Sequence, residues 1–341
     1  ISVLTLSNEF YIWNLYSKPM RKPLLGILIY LVTLASFAQV DPAAVEKFAT
    51  DFAAKDKDFS KEEVMRILNQ AEFQPEIIEK ISKPAEGTMT WERYGKIFIK
   101  QGRIDAGIAF YKEHKSTLAQ VSTDSGIPEE IILGIIGVET YFGRIKGSYK
   151  VLDALYTLGF GYPKRGKFFK SELEKFFTLS KLESLDATKV LGSYAGAMGY
   201  SQFMPSSYIA YAKSFEANGT RDLMDSPEDA IASVANYLKV HRWKKGQPIT
   251  SKAEMTREIT KLNKQVLRPK NKVSDYTKIG FKPADALQAD LPATMLIFDK
   301  DGNTEYWFGL YNFYVITRYN HSPMYAMAVY QLAEEIKKGM D

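Results

Sequence analysis

The sequence contains no cysteine and only three histidines, His114, His241 and His321. A disulfide framework, thiolate chemistry and a cysteine-borne lipid anchor are therefore excluded, and a zinc site built from His and Cys at close spacing has no basis. The chain also lacks a Walker loop, a GxGxxG dinucleotide fingerprint and a GxSxG elbow. It has no internal repeat, no low-complexity tract and no long run of one charge sign. A net charge of +5 without a concentrated basic stripe does not mark a nucleic-acid binder, although it suits an anionic polymer. With 341 residues, 45% hydrophobic and 25% charged, the chain has an ordinary globular composition and material for one or two domains.

No apolar run reaches membrane-spanning length. The run Leu24 to Ala35 is too short, but it follows Met20, Arg21 and Lys22 and precedes Ser36-Phe37-Ala38, a small-x-small cleavage site. Residues 1–38 are read as an upstream segment and a secretory signal peptide, with 1–19 fitting no part of the signal layout. Cleavage after Ala38 removes Lys18, Arg21, Lys22 and Glu9, lowering the net charge from +5 to +3. A soluble protein outside the cytoplasm is expected.

Asp41 to Ser82 reads as two or three amphipathic helices, started by Asp41-Pro42 and by Ser60 before Lys61-Glu62-Glu63. Lys83 to Gly87 breaks that pattern. Trp91, Tyr94 and Phe98 have helical spacing, which favours core over ligand platform, and a long helix is predicted from Ile104 to about Ser125. Ser125 to Gly143 then predicts an almost wholly apolar helix, with Pro128 in a first position, Glu129 and Glu130 at the positive end of the dipole and Gly143 as stop. Its one internal carboxyl, Glu139, shares a stripe with Ile132, Ile135 and Ile136. Desolvation there raises a carboxyl pKa and suits a general acid; the alternative is a buried acid paired with an Arg or capping backbone.

Val151 to Phe176 holds Asp153, then a loop with Gly159, Gly161, Pro163, Lys164 and Arg165 leading into another helix. Asp153 is either a second carboxyl or the start of a helix. Gly192 to Tyr208 interleaves glycines with Tyr, Ser and Gln, which fits close approach to a ligand or a tight connection between helices. Ser214 to Asp225 has the length of an EF-hand loop, with Glu216, Asn218, Asp222 and Asp225 as candidate ligands. Its first position is Ser214 rather than Asp and its last is Asp rather than Glu, so a metal-free loop is favoured. From Lys244 to Pro292 the chain is polar and lysine-rich, helical in pattern only from Ser251 to Gln265. Asp299 to Gly302 lies between two β-rich runs and predicts a hairpin, before a last helix within Arg318 to Lys338. The regions are a helical 39–125, a core 126–244, a small α/β subdomain 245–310 and a closing helical segment 311–341.

His114, among Lys112, Glu113 and Lys115, reads as solvated. With 21 Tyr and 20 Phe beside amides and hydroxyls, the chain suits sugar rings, which offer apolar faces and hydroxyls. Most glycosidases use two carboxyls, and no convincing partner for Glu139 stands out. A single-acid mechanism needs a nucleophile from the substrate, which an N-acetyl sugar can supply.

ILGIIGVETYFG (132–143), LDALYTLGFGYPKR (152–165), GSYAGAMGYSQFMPSSY (192–208), SVANYLKVHRWKKGQP (233–248) and YNFYVITRYNHSPMYAMAVYQL (311–332) closely resemble, in order, the lytic murein transglycosylase B family of glycoside hydrolases. The resemblance implies an α+β, mainly α, fold: a lysozyme-like catalytic core with a helical domain and a small β-containing subdomain, binding peptidoglycan glycan strands between them. It implies Glu139 as the only acid and base, cleaving between N-acetylmuramic acid and N-acetylglucosamine and leaving 1,6-anhydro ends. Ser193 matches a serine contacting the N-acetyl group or the catalytic acid. Gln202, Tyr94, Tyr237, Asn320 and Tyr325 match cleft positions, and Lys164 with Arg165 matches a basic pair near the peptide-bearing sugar. Phe168 stands where the family has tyrosine. The family's calcium loop falls on Ser214 to Asp225 without its first acid, so no cofactor is required and calcium is left open. The implied protein is periplasmic, without lipid anchor, monomeric, with other cell-wall enzymes as its protein partners. A non-catalytic murein-binding scaffold and a hydrolysing muramidase are the rival readings.

Overall fold

The computed structural model describes residues 40–83, 89–216, 219–259, 262 and 266–340. The signal peptide with its upstream segment, most of the break expected after Lys83, and Asn218 lie outside the described residues. Helices α1 (Pro42–Lys55) and α2 (Lys61–Leu68) begin where predicted, because the Asp41 carboxylate accepts from Ala43 N at 2.9 Å and Ser60 Oγ from Glu63 N at 3.1 Å. Next come α3 (Pro75–Ser82) and α4 (Trp91–Phe98). The predicted long helix is two, α5 (Gln101–Glu113) and α6 (Lys115–Ser125), broken at His114. His114 is not solvated: it is buried, its Nδ1 2.9 Å from Glu228 Oε1 and its ring 4.4 Å from that of Phe110. Lys112 and Lys115 on either side are exposed, which gave the segment its solvated look in sequence.

The apolar helix α7 (Glu129–Thr140) is shorter at both ends than expected. Gly126, at φ +75°, ends α6, and Pro128 is the extended cap rather than a helical residue. At the far end Tyr141 and Phe142 both have positive φ, so the helix stops before Gly143. Thr140 Oγ1 accepts from Gly143 N at 3.0 Å and donates to Tyr200 O at 3.1 Å, which fixes that turn. Rather than one apolar stripe, every residue from Ile131 to Thr140 is buried, as befits a central helix.

The core continues through β1 (Tyr149–Lys150), α8 (Val151–Gly161), α9 (Gly166–Leu182), β2 (Leu191–Gly192), α10 (Pro205–Tyr211) and α11 (Pro227–Val240), with β1 and β2 antiparallel. Then come β3 (Thr250–Met255), β4 (Asn271–Lys272), α12 (Val273–Ile279), β5 (Phe281–Pro283), β6 (Pro292–Lys300) and β7 (Asn303–Gly309), followed by α13 (Tyr311–Tyr319) and α14 (Pro323–Lys337). The five longer-range strands form one antiparallel sheet, ordered β4-β6-β7-β3-β5, over a small core of its own that includes Tyr276, Phe281, Met295 and Phe308. The hairpin falls as predicted, with Lys300 opposite Asn303. Ser251 to Met255, predicted as helix, is strand instead: it pairs with β5 on one side and β7 on the other, and tertiary pairing overrides the local pattern.

Two contacts position the site. An ideal Cβ on Gly134 would sit 2.6 Å from Val329 O, so α14 crosses α7 at backbone contact there. The tip of the β6–β7 hairpin reaches α4, where Trp91 meets Phe298 at 5.3 Å and Thr90 Oγ1 donates to Asp301 Oδ1 at 2.8 Å. Among the described residues, no helix is long and apolar enough to cross a membrane.

Candidate active site

Glu139 lies on the last turn of α7, only 4% exposed. The crossing at Gly134 sets the first turn of α14 beside it, where Ser322 Oγ accepts from Tyr325 N and starts the helix. Tyr325 is fully buried and its O–H donates to Glu139 Oε1 at 2.5 Å. Burial first, and then the neighbouring Glu139, hold the Tyr325 hydroxyl well above its ordinary pKa, so it remains a donor.

From this pair an aromatic wall runs outward. Tyr319 stacks on Tyr325 at 6.4 Å and donates to Ser201 O at 2.7 Å, and Tyr237 lies 4.7 Å from Tyr319. Phe203 is 5.7 Å from both Tyr237 and Tyr319. Tyr94, on α4, is fully buried and close enough to Tyr325 to bear on its ionisation. The aromatic spacing of α4 thus marks core, and the same core backs the site.

The glycine-rich stretch 192–208 folds on itself. Ser193 N donates to Ala197 O at 2.8 Å, and Ser193 Oγ accepts from Ala197 N at 3.0 Å and Ala195 N at 3.4 Å. Side chains at Gly192, Gly196 and Gly199 would strike Ala197 O, Leu155 and Leu223 O, so these glycines admit the protein's own chain. Gln202, at φ +46°, gives its Nε2 to Lys146 O and Gly199 O at 3.0 Å each, while its Oε1 is buried with no hydrogen-bond partner.

The remaining expected site residues lie on the α13–α14 turn and at the start of α9. Asn320 is 8% exposed at the turn between α13 and α14. Arg165 stacks over Phe168 at 4.5 Å and Phe169 at 5.0 Å, its pKa lowered by burial, while Lys164 is exposed. Phe168 is 36% exposed. Asp153 serves a different place: it is 3% exposed, its Oδ1 accepts from Glu72 N at 2.9 Å, and burial raises its pKa. Tyr319 went unmarked in the sequence, although it sits in the same motif as Asn320 and Tyr325.

In the Ser214–Asp225 loop, Asp222 Oδ1 accepts from Met224 N at 2.8 Å and Asp225 N at 2.9 Å, and Asp225 pairs with Lys146 at 3.2 Å. Glu216 is exposed. Among the described residues no group of three His, Cys, Asp or Glu could hold a metal.

A lone acid at the end of a buried helix, held by a phenol in a mainly helical lysozyme-like core, places the chain among the lytic transglycosylases. The transglycosylase SLT domain profile matches residues 42–334, and the chain belongs to that family. It is 40% identical over 287 residues to membrane-bound lytic murein transglycosylase B of Escherichia coli (strain K12), covering 82% of this chain and 78% of that one. Soluble lytic transglycosylase SltB1 from Pseudomonas aeruginosa superposes with a TM-score of 0.81 at 44% identity, over 86% of this chain and 98% of that one. SltB3 from the same organism, solved in complex with NAG-anhNAM-pentapeptide, gives 0.76 at 25% identity, over 88% and 80%.

Proposed function

We propose that this lytic murein transglycosylase cleaves the β-1,4 bond between N-acetylmuramic acid and N-acetylglucosamine with Glu139 as its single acid and base. The observation that carries the reading is the buried Glu139 carboxyl with the Tyr325 O–H on it. Protonated Glu139 gives its proton to the bridging oxygen, and the bond from that oxygen to muramyl C1 breaks. The muramyl N-acetyl carbonyl stabilises C1. The Glu139 carboxylate then takes the proton of the muramyl C6 hydroxyl, whose oxygen bonds to C1 and closes the anhydro ring, returning the acid. No water is consumed. Burial of the carboxyl keeps competing water away.

Ser193 Oγ already accepts from two backbone N–H groups, which leaves its O–H to donate to an N-acetyl carbonyl. Gln202 Oε1, buried and unpartnered, is an acceptor for a sugar hydroxyl or amide. Tyr94, Tyr237 and Asn320 line the same wall, and Lys164, Arg165 and Phe168 meet the peptide-bearing sugar farther along. Digestion of isolated sacculi tests this: muropeptides one water lighter than hydrolysis products are expected, and ordinary reducing ends would move the assignment to a muramidase.

The enzyme works in the periplasm as a monomer, near other cell-wall enzymes, and without a metal. Asp222 and Asp225 are engaged by backbone amides and Lys146, and the loop opens on Ser214, so these residues do not fit a calcium cage. Equal melting temperatures in calcium and in chelator are expected; a clear upward shift with calcium would contradict the metal-free loop.

A further inference from the structure

Arg318 is the penultimate residue of α13, just before the turn through Asn320 and His321 that leads to Tyr325. Its guanidinium is half-buried, with Nη1 2.9 Å from His321 Nε2. Tyr237, one ring of the site wall, donates its O–H to the Arg318 carbonyl at 2.5 Å, and the His241 ring stacks on Tyr237 at 4.1 Å. Burial, and after it the Arg318 charge, lowers the His321 pKa; at His241 burial lowers it, a hydrogen bond to the Tyr237 carbonyl opposes this in part, and Arg318 adds to the fall. Near neutral pH both rings are therefore uncharged, and Arg318 is the cation of the cluster.

Among the described residues that cation meets no carboxylate, and its one hydrogen-bond partner is the neutral His321 ring. A guanidinium carries five donors in a planar fork matched to a carboxylate, so most of its capacity is unused. Murein offers the complement. Its sugar backbone presents hydroxyls and N-acetyl groups, whereas the peptide on each muramic residue carries free carboxylates.

We propose that Arg318 is a specificity-determining residue that binds a free carboxylate of the stem peptide, with His321 and Tyr237 fixing its position. The proposal rests on the murein reading of the site. It is tested by calorimetry on Glu139→Gln protein, which binds without turnover, using a peptide-bearing disaccharide and a peptide-free disaccharide whose muramyl lactyl carboxyl is capped as a simple amide. Arg318→Gln should weaken binding of the peptide-bearing ligand about tenfold, the loss of a charge-assisted pair, and leave the peptide-free ligand unchanged. Arg318→Lys, which keeps the charge but not the fork, should fall between. Equal losses on both ligands would reveal a structural role and overturn the proposal, as would no loss on either. Failure of the Glu139→Gln protein to bind either disaccharide would instead overturn the murein reading, and the proposal with it.

Discussion

Glu139→Gln is expected to lower kcat on murein by about 100- to 10,000-fold, the range over which a positioned acid and base contributes. The substitution keeps shape and volume, and Tyr325 can still donate to the amide oxygen in place of Oε1, so the crossing of α7 and α14 stays intact. What disappears is a group able to give and then retrieve a proton. KM and melting temperature should therefore stay near those of the native protein, and the loss should fall on kcat. Undiminished solubilisation of murein by the variant would mean that another residue performs the chemistry.

The second large effect is expected at a glycine in the loop that follows the acid's helix. Gly147 has φ +100°, and an ideal Cβ would lie 2.1 Å from both C and O of Gly192 and 2.6 Å from Ser193 N. The preceding carbonyl, Lys146 O, accepts from Gln202 Nε2, so one peptide unit ties together the segments that hold Ser193 and Gln202. Gly147→Ala imposes a left-handed conformation on an L-residue and forces backbone apart, and should cost about 3 kcal/mol or more while also displacing Ser193. Gly246 gives the control. It is also left-handed, at φ +72°, but nothing lies within 4 Å of its ideal Cβ. Gly246→Ala should cost only about 1 kcal/mol, the conformational penalty alone. Thermal melts check both, and equal small shifts would show that the β1–β2 approach yields easily.

Much of the architecture was legible because it depends on local signals. Asp41 and Ser60 start their helices through their own side chains, and Asp301-Gly302 turns the hairpin it sits in. Glu139 stood out because an acid on an apolar helix has few explanations. What escaped the sequence depends on partners far along the chain. His114 is buried by Glu228, which lies on α11. Ser251 to Met255 is strand because β5 and β7 flank it. The far end of α7 is set by Thr140 and Tyr200 rather than by the glycine that marked a stop. The donor to Glu139 comes from Tyr325, which spacing along α7 could not indicate; only the resemblance singled that tyrosine out, and it did so without a partner. Tyr319 was invisible for the same reason: its stacking on Tyr325 and bond to Ser201 O exist only once α13 and α14 have folded against the core.

The most direct test of a single acid with an internal nucleophile is digestion of murein in heavy-oxygen water, followed by mass analysis of the newly formed muramyl ends. Those ends should carry no heavy oxygen, because the oxygen that bonds to C1 comes from the sugar's own C6 hydroxyl. Incorporation of one heavy oxygen at each cleaved muramyl end would show that water is the nucleophile and would contradict the role assigned to Glu139.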